Sequence, residues 1–126
     1  MNAMAALKQY QNVNTNAQVS DATPHRLIQM LMEGGLTRLA QAKGAMQYGQ
    51  VASKGESISK AIGIIGGLRG GLDLAKGGEI AENLDRLYEY MVSRLLKANR
   101  DNDVALIDEV AGLLRNVKSG WDAISH

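Results

Sequence analysis

Cysteine is missing from this 126-residue chain, phenylalanine is missing too, and Pro24 is the one proline. Without cysteine there can be no disulfide, no thiol nucleophile and no zinc–thiolate site, a composition that suits a reducing cytoplasm. Aromatic residues make up only 4% of the sequence and runs of Val, Thr and Tyr are scarce, which disfavours strands. Basic and acidic residues nearly balance, leaving a formal charge of +1, and no run of Lys or Arg concentrates it. An electrostatic grip on nucleic acid or on an anionic membrane is therefore not expected. No apolar run approaches the roughly 20 residues that a membrane-spanning helix needs. Residues 1–10 lack the basic start and long apolar core of a secretory signal. These absences predict a soluble, cytoplasmic protein, a monomer or weak dimer, with no membrane insertion.

What remains is rich in Ala, Leu, Met, Gln, Glu, Lys and Arg, the helix formers. Residues 1–21 are dominated by Asn, Gln and Ala, too polar to fold alone, and read as a flexible arm, with a short extra helix around residues 3–10 as one option. Tyr10 has nothing local to pack on, so it is expected to insert into a groove on the body. Residues 22–126 read as a single domain. Thr23 can cap a first helix with Pro24 at its first position. Leu27, Met30, Leu31, Leu39, Ala42 and Met46 give it a core stripe, and Gly49 ends it. Ser53 and Glu56 stand at capping-box spacing and predict the start of a second helix, which should stop near Gly77-Gly78. A third is expected from about Glu79, with Ile80, Leu84, Leu87, Tyr88, Met91 and Leu95 inward. Asp101 or Asp103 should cap a fourth, lined by Leu106, Val110, Leu113, Leu114, Val117, Trp121 and Ile124. Four helices joined by short loops predict an all-α, antiparallel up-down four-helix bundle.

The second helix carries two stripes. Ile58, Ile62, Ile65, Leu68 and Leu72 recur at helical spacing, and Gly63, Gly66, Gly67, Gly70 and Gly71 fall about opposite. Five interior glycines cost roughly 4–5 kcal/mol of helix stability relative to alanine. A bare outward face would let a partner's backbone approach closely. It could equally be a tolerated, poorly optimised surface. The glycines do not match a phosphate-binding loop, because no Gly-xxxx-Gly-Lys-Ser/Thr run occurs and no strand precedes them.

Catalytic chemistry finds few candidates. His25 and His126 are the only histidines, and neither has a metal-ligand partner at helical spacing. The carboxylate pairs Glu79/Glu82 and Asp108/Glu109 fit solvated helix surface. No nucleophile–base set can be assembled, so neither an enzyme nor a cofactor is expected. His25-Arg26-Leu27 is superficially similar to the exposed histidine of phosphotransfer bundles, and this is the alternative function. Against it, His25 sits beside Pro24 in a first turn and lacks a following lysine to hold phosphate.

Several segments resemble the FliS family of flagellar secretion chaperones. Ser20-Asp21-Ala22-Thr23-Pro24-His25-Arg26-Leu27-Ile28 is similar to the family's Ser/Thr-Pro-His-x-Leu-Ile start. The resemblance continues through residues 54–62, Gly70-Gly71-Leu72-Asp73, residues 76–84, Leu87-Tyr88-Glu89-Tyr90-Met91 and Trp121. Tyr10 and Val13 fit the family's N-terminal Tyr-xx-Val arm. Gly63 and Gly70 depart from it, standing where relatives carry bulkier residues. The resemblance implies a cytoplasmic bacterial chaperone without enzymatic activity, folded as an antiparallel helical bundle. It would bind the disordered C-terminal segment of newly made flagellin, block premature polymerisation and aid delivery to the flagellar type III export gate. An export-gate component and an anti-sigma factor are further partners to consider. For an amphipathic client, apolar inter-helix grooves are the expected site. Ile58, Ile62, Ile64, Ile65, Gly67, Leu68, Gly71 and Leu72 are the candidate contacts on the second helix, and Tyr10 and Val13 on the arm. The arm would act as a placeholder over the groove, and Met30, Met32 and Met91 would add adaptable apolar surface.

Overall fold

The structure, a computed structural model, describes residues 22–124. Four α-helices follow one another: α1 (Pro24–Gln47), α2 (Val51–Gly70), α3 (Leu74–Asp101) and α4 (Val104–Asp122). No strand occurs among the described residues. The expected four-helix, all-α fold is the one observed.

Each boundary has a local cause. Thr23 is extended and its hydroxyl accepts from the Arg26 amide at 3.1 Å, with Pro24 following where a missing N–H costs nothing. α1 ends at Gln47, where Gly49 takes a positive φ of 68° and the Gln50 amide donates back to the Ala45 carbonyl at 2.8 Å. That backbone wrap is a glycine-terminated Schellman cap. The cap fixes where α2 can begin, and α2 starts at Val51, before Ser53. The expected capping box is therefore not used: Gln50 is the cap, without a side-chain bond, and Glu56 pairs instead with Lys60 one turn on at 3.0 Å. α2 also ends earlier than expected, at Gly70. Asp73 accepts from the Lys76 amide and starts α3 at Leu74, ahead of the two glycines read as a stop. Those glycines leave their mark as a break inside α3, where Gly78 has φ 54° and ψ −135°. Asn102 in the left-handed region closes α3, and Asp103, one of the two predicted caps, accepts from the Ala105 amide.

The connections are so short that consecutive helices run antiparallel. Cross-helix pairs show the same for the seam that closes the ring: His25 meets Trp121, and Lys43 meets Asp108, so positions rise along α1 as they fall along α4. α1 packs on α2 and α4, and α3 packs on α2 and α4, which makes a square ring. The core is one cluster in which Leu31, Leu39, Ile58, Ile65, Met91, Leu95, Ile107, Val110 and Leu114 are closed to solvent. α1 comes close to two neighbours at Gly35, where an added Cβ would lie 3.0 Å from Leu114 Cδ2 and 3.5 Å from Ile64 Cγ2.

Candidate partner-binding groove

The candidate contacts of α2 divide by depth. Ile58 and Ile65 are 1% and 0% exposed and belong to the core, as do Ile64 and Leu68. Ile62 and Leu72 are half-buried against that core, and Gly71 is exposed. The glycine stripe is not uniformly outward. Gly63 and Gly66 have open space above them, Gly70 and Gly71 are exposed, but Gly67 is buried. Tyr10 and Val13 lie outside the described residues.

An opening lies at one end of the bundle, where the start of α1, the end of α2, the start of α3 and the end of α4 meet. It is an apolar groove of about 660 Å³. Leu68, Gly71 and Leu72 of the sequence-derived set line it, together with Ile28 and Met32 from α1, Ile80, Ala81, Leu84 and Tyr88 from α3, and Val117, Trp121 and Ile124 from α4 and its exit. Sequence periodicity missed most of these, because four separate elements contribute one or two turns each. Ile80 departs most from expectation: it was assigned to the core stripe, yet it is 74% exposed. α2 has ended at Gly70, and the Arg69 guanidinium meets Asp85, so Ile80 lies more than a turn past the helix that would have covered it. Leu74 and Ile124 are exposed at the same end. The signal that could have exposed the site was an isoleucine two residues past Gly77-Gly78, where the glycine pair breaks the helix.

Two ties hold the walls. On one side, Trp121 and His25 stack with ring centroids 4.9 Å apart and planes 19° from parallel. The Trp121 indole N–H donates to the His25 carbonyl at 3.0 Å, and His25 Nε2 donates to the Trp121 carbonyl at 2.8 Å. A carbonyl can only accept, so Nε2 carries the proton. His25 is therefore a clamp between the start of α1 and the end of α4, with that nitrogen occupied, an arrangement unlike an exposed phosphate acceptor. Asp122 adds to the tie by accepting from Lys118 at 2.6 Å and Gln29 at 2.7 Å, and the Lys118 bond is the main cause that holds its carboxyl below the usual range.

On the other side, Arg69 at the end of α2 reaches two α3 carboxylates, Asp85 at 2.6 Å and Glu89 at 2.8 Å. The Asp85 hydrogen bond is the main reason the guanidinium titrates higher and that carboxyl lower than usual. Tyr88 forms part of the groove floor, and burial pushes its phenol up to about 12. A second α3–α4 tie lies elsewhere on the bundle. Glu109 accepts from Tyr90 at 2.6 Å and Arg94 at 3.0 Å, which lowers its carboxyl.

Among the described residues no group of His, Cys, Asp and Glu could hold a metal ion, and no helix is long and apolar enough to cross a membrane. An open apolar trough bordered by ion pairs suits an amphipathic segment, which can bury one face and leave the other in water.

Comparison with known proteins covers nearly the whole chain. The profile of the family described as "Flagellar protein FliS" matches residues 6–126. The flagellar secretion chaperone FliSB of Pseudomonas aeruginosa is 67% identical over 126 residues, all of both chains. The flagellar secretion chaperone FliS of Salmonella typhimurium is 48% identical over 99% of this chain and 93% of its own. That of Vibrio cholerae is 45% identical over 94% and 88%. With its whole bundle inside that match, from the Thr23-Pro24 start to Trp121, the chain belongs to the FliS family of flagellar proteins.

Proposed function

We propose that this protein is a cytoplasmic flagellar secretion chaperone that holds the disordered C-terminal segment of flagellin in the apolar groove. Held there, the segment cannot polymerise prematurely and can be passed to the type III export apparatus. The relatives' names supply the class of activity, and the carrying observation is the groove itself, whose lining leaves Ile80 and Ile124 open to water. A coiling segment of flagellin has an apolar face of its own to cover, and the two exposed surfaces satisfy each other. Leu68 on α2 and, just past its end, Gly71 and Leu72 are the contacts of this reading on that side. Ile62, Ile64 and Gly67 flank them, Ile58 and Ile65 support the wall from the core, and Tyr10 and Val13 of the arm cover the site until the client arrives. No catalytic step is involved.

Calorimetric titration with a peptide of the flagellin C-terminal region tests the proposal. Binding should be one-to-one, with a negative heat-capacity change and added helical signal from a client that orders as it binds. Ile80→Asp, placed on an exposed side chain that the fold does not need, should weaken binding by about tenfold or more while leaving the melting transition in place. Absence of binding to the unaltered protein would overturn the proposal.

A further inference from the structure

One wall of the groove is built unlike the others. Asp73, Lys76 and Gly77 line the groove, and with Leu72 and Gly71 they belong to a short stretch between two fixed points. The first fixed point is Arg69, tied to Asp85 and Glu89. The second is Ala81, buried at the start of the continuous part of α3. Between them every residue from 73 to 80 is exposed, and Leu72 alone is half-buried against the core. The hydrogen bonds described for the stretch outside the helices are short-range: the Lys76 amide to the Asp73 carboxylate at 3.0 Å, the Gly77 amide to the Asp73 carbonyl at 2.7 Å, and, back to α2, the Gly71 amide to the Gly67 and Leu68 carbonyls at 3.1 and 3.3 Å and the Leu72 amide to the Arg69 carbonyl at 3.2 Å.

Both ends of this stretch are glycine joints. Gly70 and Gly71 lead in. Gly77 and Gly78 lead out, and Gly78 takes φ 54° with ψ −135°, a combination that an L side chain disfavours. At Gly77 an added Cβ would lie 2.6 Å from the Ala81 Cβ, so that position too accepts only glycine in this geometry. The result is one helical turn hung between two glycine pairs, with little apolar burial to hold it and, among the hydrogen bonds described, ties only to the end of α2 from which it leads. Low burial and purely local bonding are the marks of a unit that opens well before the global fold does.

We propose that residues 71–78 form a hinged flap that opens the groove to the client and closes against it once bound. This rests on the groove being the client site. The closing contacts are Leu72 and Leu74, which gain apolar cover when a client face lies beneath them.

Because the chain has no cysteine, a spin-label pair at Ala75→Cys on the flap and Ser119→Cys on α4 reads the opening directly. In the free protein the distance distribution should be broad, and with the flagellin C-terminal peptide bound its width should fall about twofold as a bound client selects the closed state. A narrow distribution in the free protein would overturn the flap, whether or not the peptide binds. So would a width unchanged by a peptide that calorimetry shows to be bound. If the peptide does not bind, the site reading fails, and the free-protein width still decides whether the wall moves. Gly78→Ala should weaken peptide binding by about tenfold, since the joint can no longer take its native angle. Gly55→Ala, in open space on α2, should leave affinity unchanged. Full affinity in Gly78→Ala would also overturn the proposal.

Discussion

Alanine in place of glycine should change stability in opposite directions at positions that a helical wheel cannot tell apart. At Gly63 and Gly66 of α2 a new Cβ meets nothing within 4 Å. Each substitution there removes backbone freedom from the unfolded chain and adds no clash, a gain of about 0.8–1 kcal/mol. At Gly35 of α1 the same methyl meets Leu114 Cδ2 at 3.0 Å and Ile64 Cγ2 at 3.5 Å. Leu114 is fully closed to solvent, so it can yield only by pressing on the rest of the core. Overpacking of that kind costs about 1–3 kcal/mol, which cancels or exceeds the helix gain and leaves Gly35→Ala neutral to about 2 kcal/mol destabilised. Gly63→Ala and Gly66→Ala together should gain close to 2 kcal/mol. For a domain of this size each kcal/mol shifts the melting midpoint by roughly 3–6 °C. Urea unfolding followed by circular dichroism, with thermal melts alongside, separates the two cases. A Gly35→Ala protein as stabilised as Gly66→Ala would refute the close-approach argument and show that Leu114 has room to turn.

Two further outcomes follow from named contacts. A double-mutant cycle between His25→Ala and Trp121→Ala should return a coupling of about 0.5–1.5 kcal/mol, the stacking contribution alone. Each ring nitrogen bonds to the other residue's backbone carbonyl, which survives truncation of that residue; a coupling near zero would mean that the stack does not contribute. Tyr88, whose phenol titrates at about 12 in the folded protein against an ordinary 10.0, makes stability fall in alkali. The raised value keeps its full stabilisation below pH 10, loses it as pH rises toward 12, and accounts for about 3 kcal/mol across that window. Tyr88→Phe should lose less stability than the unaltered protein between pH 9 and pH 11.5 in urea titrations, and parallel declines would exclude Tyr88 as the cause.

Helices were legible where a local code stood alone. Thr23-Pro24 and Asp103 mark starts by side-chain chemistry that needs no tertiary partner, and the structure uses both. Ser53 and Glu56 carried the same code and were overruled, because the backbone wrap at Gly49 had already set the direction of α2. Gly77-Gly78 stops a helix in isolation, but Asp73 starts one four residues earlier, and the two signals coexist as a turn and a break. The groove was less legible. Its α2 edge was found from the stripe ending in Leu68 and Leu72. The remaining walls come from parts of α1, α3 and α4 that no single periodicity joins. Ile80 has the right spacing for the core and lacks only a neighbour, and a neighbour's absence is a property of the assembled bundle.

The ring has one seam that differs from the rest in sequence distance. α1–α2, α2–α3 and α3–α4 each join helices linked by a few residues, so those pairings form at little loop-closure cost. Only α1 and α4 must find each other across nearly the whole domain, and His25 and Trp121 stand at the far end of that search. Topology of this kind favours early hairpins and late ring closure. Contacts absent from the folding transition state act chiefly on the rate of unfolding. The clamp beside the groove is thereby expected to be a latch in time as well: truncating it should speed unfolding more than it slows folding.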